Sequence, residues 1–442
     1  MTQKKVVLLF PYFRRPSATH LFQPLGIASL AAELGTRGVR AVQVDGTFMT
    51  PDAVVSKIVS EQPAIVGMTV LVTLMRSALS LLALLRRELP HTLFVAGGPH
   101  PSVMPEFFGS HFDLVFRGEA DRAFPDFCRD TLDNGLHPGD IGTCDLSGYP
   151  GAFFSMPGKA FRETPSEHLA EAEIADLPNP DRSQADHRAY QDACLERGDP
   201  PQASLLLTRG CPFACDFCSR PIFGNLFRKR PLDGVFTEIE EIRRLGYESL
   251  WIADDSFTLS LDYLAGFCER MRREAPGVTW TCLSRVDSLT PEIVGEMAAS
   301  GCGRVYLGLE SASDETLRLM NKKTTVADGK RAVGLFKAAG IGVGGFFMVG
   351  YPGETVESIE KTFEMALSLP FDDISINVPY PLPGSPLYSR VDGMLPGEDW
   401  EWESEPRFLY RSEFDESWIR TRIQQTLDAF KNRQRAAQEG NR

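Results

Sequence analysis

The chain lacks several things, and each lack narrows what it can be. It has no long apolar run: the longest largely apolar stretch, Ala78 to Leu85, falls far short of the ~20 residues that a membrane-spanning helix needs, and it ends in Arg86-Arg87. Cations are in deficit, with 46 Lys and Arg against 59 Asp and Glu and a formal net charge of −13. Nucleic acid is therefore not expected as the main partner, because phosphate binding needs clustered Lys and Arg. The short basic run Arg228-Lys-Arg230 reads as a solvated loop in preference to an anion site. No apolar leader is expected either, since Met1-Thr-Gln-Lys-Lys5 runs straight into a β-rich stretch. Nine cysteines, an odd number with three in one cluster, suit reduced thiols in a cytoplasm better than a disulfide framework. What remains is ordinary globular composition, 43% hydrophobic and 24% charged over 442 residues, which at roughly 150 residues per domain allows two or three domains.

The cysteine cluster is the most informative stretch. Thr208-Arg-Gly-Cys-Pro-Phe-Ala-Cys-Asp-Phe-Cys-Ser-Arg220 places Cys211, Cys215 and Cys218 within eight residues. The spacing i, i+4, i+7 is also one face of a helix, which would make the cysteines a buried stripe of small hydrophobes. Gly210 and Pro212 oppose that helix, and Ser204 to Leu207 just before reads as a buried strand. Structural zinc is a second alternative, but it needs four protein ligands. The nearest other Cys and His residues are His187, Cys194 and Cys268, none at a zinc-finger spacing. Three thiolates with a position left open suit a 4Fe-4S cluster with one iron free to bind a small molecule.

Strand and helix alternate on both sides of this loop. Toward the amino terminus the β-rich runs are Val6 to Phe10, Ala41 to Val44, Ala64 to Val70, Leu93 to Ala96 and Leu114 to Phe116. Between the first two, Ile27, Leu30, Ala31 and Leu34 fall at helical spacing, and further helices are expected over Pro51 to Glu61 and Met75 to Leu89. Such alternation implies a parallel sheet covered on both faces, with any ligand at the carboxyl ends of the strands. Past the cysteines come Leu250 to Ala253, Trp280 to Leu283, Arg304 to Leu309, Val343 to Val349 and Ile374 to Val378, the strands of a partial barrel. Polar groups gather at their ends: Asp254-Asp255, Ser284-Arg285, Glu310-Ser311 and Tyr351-Pro-Gly353. Taken singly, each reads equally well as a helix cap or a surface pair. The carboxyl-terminal tail carries Ile419, Ile423, Leu427 and Phe430 at helical spacing, which would let it cap the barrel.

The C-x-x-x-C-x-x-C loop at the end of a first strand, with Phe217 before the last cysteine, resembles the signature of radical S-adenosylmethionine enzymes. The amino-terminal segment resembles the cobalamin-binding domain of one large subfamily: Gln23-Pro-Leu-Gly26 opens the first helix, Thr69-Val-Leu71 ends the third strand, Gly97-Gly98 ends the fourth and Arg117-Gly-Glu119 follows the fifth. The D-x-H-x-x-G loop that carries a lower-face histidine in many cobalamin proteins is missing, and Asp45-Gly-Thr-Phe-Met49 stands in its place. His100, after the glycine pair, reads as a loop histidine and not as a ligand.

The resemblance implies an α/β fold throughout. A Rossmann-like cobalamin-binding domain over 1–130 would be followed by a linker over 131–200, a partial (β/α)6 radical SAM barrel over 201–392 and a small helical region over 393–442. It implies a 4Fe-4S cluster on Cys211, Cys215 and Cys218, with S-adenosylmethionine held by Phe217, Asp254, Asp255, Ser284, Arg285 and Glu310. Cobalamin would lie near Thr69, Leu71, Gly97 and Gly98. Gly342, Gly344 and Gly345 match the strand where adenine usually lies, or serve as a packing device. The implied activity is reductive cleavage of S-adenosylmethionine to a 5′-deoxyadenosyl radical, with methylation of an unactivated centre of a small-molecule substrate. Radical oxidation or cyclisation without methyl transfer, and a non-catalytic iron-sulfur or zinc module, are the alternatives. An electron donor such as flavodoxin or ferredoxin is the expected partner, and no residue is singled out as catalytic acid or base.

Overall fold

The computed structural model describes residues 5–14, 21–155, 161–287, 289–395 and 406–440, the last four of these without their side chains. Met1 to Lys4, on which the leaderless start was read, lie outside the described residues. The chain forms two compact units. The first is Met1–Pro201 joined by Arg220–Gly234, and the second is Gln202–Ser219 with Val235–Pro396 and the carboxyl-terminal stretch.

The first unit is built on one sheet. Its strands are β1 (Val6–Phe10), β2 (Ala41–Asp45), β3 (Ile65–Thr69), β4 (Leu93–Gly97), β5 (Leu114–Phe116), β6 (Ala152–Phe154) and β7 (Arg162–Glu163), in the order β2-β1-β3-β4-β5-β6-β7. The first five are parallel, and β6 and β7 add antiparallel strands. Helices α1 (Leu25–Thr36), α2 (Pro51–Glu61) and α3 (Met75–Glu88) lie between successive parallel strands. Because side chains alternate across a strand, Val7, Leu9, Val66 and Met68 pack with Val54, Ile58 and Leu85 on one face, while Val6, Leu8 and Ile65 pack with Ile27, Leu34 and Phe127 on the other. Both faces being covered explains why these strands read as continuous apolar runs. The strand order reverses between β1 and β3, whose carboxyl ends are therefore the expected place for a ligand. The stretch 131–200, expected as a linker, supplies β6 and β7 to this sheet and a helix, His187–Leu195, whose Tyr190 and Ala193 are buried.

The second unit holds a six-stranded parallel sheet in strict chain order: Gln202–Leu205, Ser249–Ile252, Thr279–Ser284, Cys302–Glu310, Gly342–Met348 and Asp373–Asn377. First and last strands do not pair with each other, so the sheet is an open, partial barrel with helices between its strands. The tail forms the helix Glu416–Gly440, which buries Ile419, Ile423 and Phe430. Arg422 grips Glu360 with two hydrogen bonds, at 2.8 Å and 2.5 Å, and Gln434 Nε2 donates to the Asp372 carbonyl at 2.6 Å. The tail thus fastens to the helix Val356–Ser368 and to the lead-in of the last strand.

Candidate active site

In the first unit the structure brings Thr69, Leu71, Gly97 and Gly98 together at the carboxyl ends of β3 and β4. Thr69 pairs in register with Gly97, and Val70 N donates to the Gly97 carbonyl at 2.8 Å. Gly98 has φ +96, and a Cβ there would stand 2.7 Å from Thr69 Oγ1, so only glycine fits. Gly97 is different: a Cβ there would meet nothing nearer than the Phe116 carbonyl at 3.8 Å. Leu71 is 38% exposed, which leaves an apolar side chain uncovered at this edge.

The residues around that edge are mostly spent inside the unit. Asp45 Oδ1 accepts from Thr47 N at 3.0 Å and from Thr47 Oγ1 at 2.6 Å, and Tyr190 donates to Asp45 Oδ2 at 2.6 Å. Phe48 packs edge-on against Tyr190, which closes the loop that replaces D-x-H-x-x-G. His100 is no loop residue: it lies in the short helix Pro99–Val103, 2% exposed, with Nε2 3.3 Å from Met104 Sδ. Burial holds its pKa down at about 4, so the ring is neutral. Arg228 is neither solvated nor open to an anion. It pairs at 2.5 Å with the buried carboxylate of Glu119, and donates to the carbonyls of Leu169 and Phe223 at 2.8 Å each.

In the second unit the cysteine loop follows Thr208–Arg209 without helix. None of the three cysteines is in a disulfide; Cys215 is buried, and Cys211 and Cys218 are partly exposed. Among the described residues no group of three or more His, Cys, Asp or Glu side chains stands as a metal site. What the structure does show is how that loop is held. Asp216 N donates to the Met320 carbonyl at 2.9 Å, and Asn321 Nδ2 donates to the Ala214 carbonyl at 2.6 Å. The Asp216 carboxylate, buried between the last two cysteines, accepts a short hydrogen bond from the Tyr351 hydroxyl and pairs with Arg390 at 3.1 Å. Phe217 packs against Met320, Tyr351 and Leu387, with the Lys322 ammonium 5.7 Å from its ring centre.

The polar strand ends divide by exposure. Asp254 is fully buried, with Oδ1 accepting from Leu207 N at 2.8 Å and Oδ2 from Thr208 Oγ1 at 2.6 Å, whereas Asp255 is exposed. Desolvation pushes Asp254 up to about 7 despite these donors. The Ser284 hydroxyl is 2.7 Å from Thr258 Oγ1 and 2.8 Å from the Arg285 carbonyl. Glu310 sits at φ +64, an unfavourable backbone for any residue with a Cβ, and pairs with the buried Lys322 at 2.7 Å. Gly344 is explained by packing, since a Cβ there would lie 2.2 Å from the Tyr306 ring.

Residues 205–366 match the family model of the Radical SAM superfamily, and residues 16–127 match that of the B12 binding domain. The chain carries a radical SAM domain and a B12-binding domain. Among similar proteins, an uncharacterised methyltransferase of Pyrococcus horikoshii is 28% identical, covering 85% of this chain and 80% of its own. The anaerobic magnesium-protoporphyrin IX monomethyl ester cyclase of Rubrivivax gelatinosus is also 28% identical, covering 86% and 68% respectively. Among solved structures, the radical S-adenosylmethionine methyltransferase TsrM from Kitasatospora setae superposes with a TM-score of 0.72 at 20% identity, over 88% of this chain and 75% of that one. The cobalamin-dependent radical enzyme OxsB superposes at 0.69 and 17% identity, over 84% and 53%. These likenesses share the fold of both units.

The cofactors of a radical SAM protein with a B12-binding domain are S-adenosylmethionine, a 4Fe-4S cluster and cobalamin. The residues present fit them. Three cysteines outside any disulfide on an irregular loop, one beside a guanidinium, are a donor set suited to iron and not to a closed four-ligand zinc site. The clear space in front of Gly97 beside an exposed Leu71 suits a flat ligand with apolar edges. Among the described residues no helix is long and apolar enough to cross a membrane.

Three contributors to the loop were not read from the sequence: Asn321, Lys322 and Asp216. A Met-Asn-Lys-Lys turn carries no mark of burial, and Asp216 differs from any loop aspartate only through Tyr351 and Arg390.

Proposed function

We propose that this protein is a cobalamin-dependent radical SAM methyltransferase that acts on an unactivated carbon or phosphorus of a small metabolite. The observation that carries the reading is the likeness to the Pyrococcus methyltransferase along 85% of the chain, with both domain types present. When bound, the cluster and S-adenosylmethionine supply a 5′-deoxyadenosyl radical, and cobalamin supplies a transferable methyl group.

The chain's part is to hold and orient. We assign Cys211, Cys215 and Cys218 to the cluster, and the exposed carboxylate of Asp255 to the methionine ammonium, a charge-assisted contact. Ser284 and Glu310 end neighbouring strands of the second sheet, and we assign them with Phe217 of the cysteine loop to the same cosubstrate. Thr69, Leu71, Gly97 and Gly98 form the bed for cobalamin, with Asp45 and Tyr190 closing the loop where a histidine would otherwise rise. No lower-face imidazole is therefore expected on cobalt. A one-electron donor, flavodoxin or ferredoxin, completes the system.

The test supplies reconstituted protein with cobalamin, dithionite, methyl-labelled S-adenosylmethionine and a low-molecular-weight cell extract as the source of acceptor. Label in a new product, with 5′-deoxyadenosine and S-adenosylhomocysteine in about equal amounts, is the expected result. The Rubrivivax cyclase, similar over 86% of this chain, favours a second reading of radical oxidation or cyclisation. An unlabelled product with 5′-deoxyadenosine and no S-adenosylhomocysteine would establish that reading instead.

A further inference from the structure

Arg285 follows the strand Thr279–Ser284 and is 7% exposed, yet its guanidinium is fully engaged on three sides. Nε and Nη2 donate to the two oxygens of Asp287 at 3.1 Å and 2.8 Å, and Nη2 also donates to the Lys322 carbonyl at 2.9 Å. Nη1 lies 3.9 Å from Cys215 Sγ, and the flat face covers Phe213 with Cζ 3.5 Å from the ring centre. An arginine has five N–H donors and two edges, Nε/Nη2 and Nη1/Nη2, that can grip a carboxylate bidentately. Here Asp287 occupies the first, and the Lys322 carbonyl and Cys215 Sγ face the second. A methionine carboxylate would have to displace Asp287, the Lys322 carbonyl or the Cys215 sulfur from the buried guanidinium.

We propose that Arg285 acts on the iron-sulfur cluster through the sulfur of Cys215, raising its reduction potential, and that it does not hold the carboxylate of S-adenosylmethionine. The role rests on the radical SAM reading of Cys211, Cys215 and Cys218. Its physical basis is direct. Reduction adds negative charge to the cluster, and an N–H donor and a cation beside a ligand sulfur stabilise the more negative state in preference. Asp287 sets the size of the effect, because its carboxylate aligns the guanidinium while offsetting part of its charge. Phe213 keeps the group flat against the loop and sheds water from it. Arg285 is in this sense a positioning residue, whose work is read in a potential and not only in turnover.

The experiment is a redox titration of the reconstituted cluster, followed by electron paramagnetic resonance, in wild type, Arg285→Gln, Arg285→Lys and Asp287→Asn, each with and without S-adenosylmethionine. Without the cosubstrate, Arg285→Gln should have a more negative midpoint potential than wild type, Arg285→Lys an intermediate one, and Asp287→Asn a more positive one. Affinity for S-adenosylmethionine should stay within about twofold of wild type in Arg285→Gln. An unchanged potential with affinity weakened about tenfold or more would overturn the proposal and return Arg285 to the cosubstrate carboxylate. Should Arg285→Gln fail to hold a cluster, Asp287→Asn decides: a positive shift supports the proposal, and no shift overturns it. A wild-type protein that binds no cluster overturns the radical SAM reading itself, and this role with it.

Discussion

Asp254 closes on Thr208: the carboxylate at the end of one strand of the second sheet accepts the threonine hydroxyl at 2.6 Å, three residues ahead of the first cysteine. With Leu207 N on the other oxygen, this fully buried acid fastens the entry of the cysteine loop to the neighbouring strand.

That placement sets a pH dependence. Burial lifts Asp254 from 3.8 to about 7, so the folded state favours the protonated form. Stability from this group is therefore greatest at low pH and is lost as pH rises toward about 7, by up to about 1.4 kcal/mol per pH unit over that interval. Asp254→Asn removes the titration. Urea midpoints measured from pH 5 to pH 8 should fall in wild type relative to the variant. A difference that stays flat across that range would contradict the assignment.

Tyr351→Phe removes the hydroxyl that Asp216 accepts and leaves the carboxylate to the half-exposed Arg390. The expected loss is about 1–3 kcal/mol, the range for a buried acceptor left short of a donor. Iron and sulfide per chain after reconstitution should fall as well, because Asp216 lies between two cysteines. Full iron content together with an unchanged denaturation midpoint would show that the contact is idle.

Glu119 and Arg228 form a buried pair, and removing either charge alone should cost about 3–5 kcal/mol. Glu119→Gln, Arg228→Met and the double variant, followed by chemical denaturation, make the cycle. The double variant should recover much of the loss, since neither charge is then stranded. Additive losses would mean that the two side chains stabilise the unit independently.

Changing Cys211, Cys215 and Cys218 together to Ala should abolish the brown chromophore and 5′-deoxyadenosine formation. Cleavage of S-adenosylmethionine that persists in this triple variant would place the cluster elsewhere.

The strands of the first sheet were legible because it is buried on both faces, so Val6 to Phe10 announces itself as an apolar run. The segment 131–200 was harder: β6 is three residues long and β7 two, and they pair by backbone contact with a sheet that composition does not reveal. The cysteine trio was legible from spacing alone. Its surroundings were not, since nothing in the sequence distinguishes Asp254, turned inward, from Asp255, turned outward. Glu310 at φ +64 gives no local signal either, because its strain is balanced by Lys322, twelve residues on.

The membership of Arg220–Gly234 in the first unit bears on the order of synthesis. As the chain emerges, Glu119 is in place well before Arg228, and the cysteine loop must be made in between. A nascent first unit thus carries Glu119 without Arg228, with Leu169 N and His168 beside its carboxylate, and the fold that domains usually complete one after another along the chain is here completed only once the cysteines have passed. Expressed alone, residues 1–201 would lack Arg228 and the rest of Arg220–Gly234, so cutting between the units in sequence yields an incomplete piece.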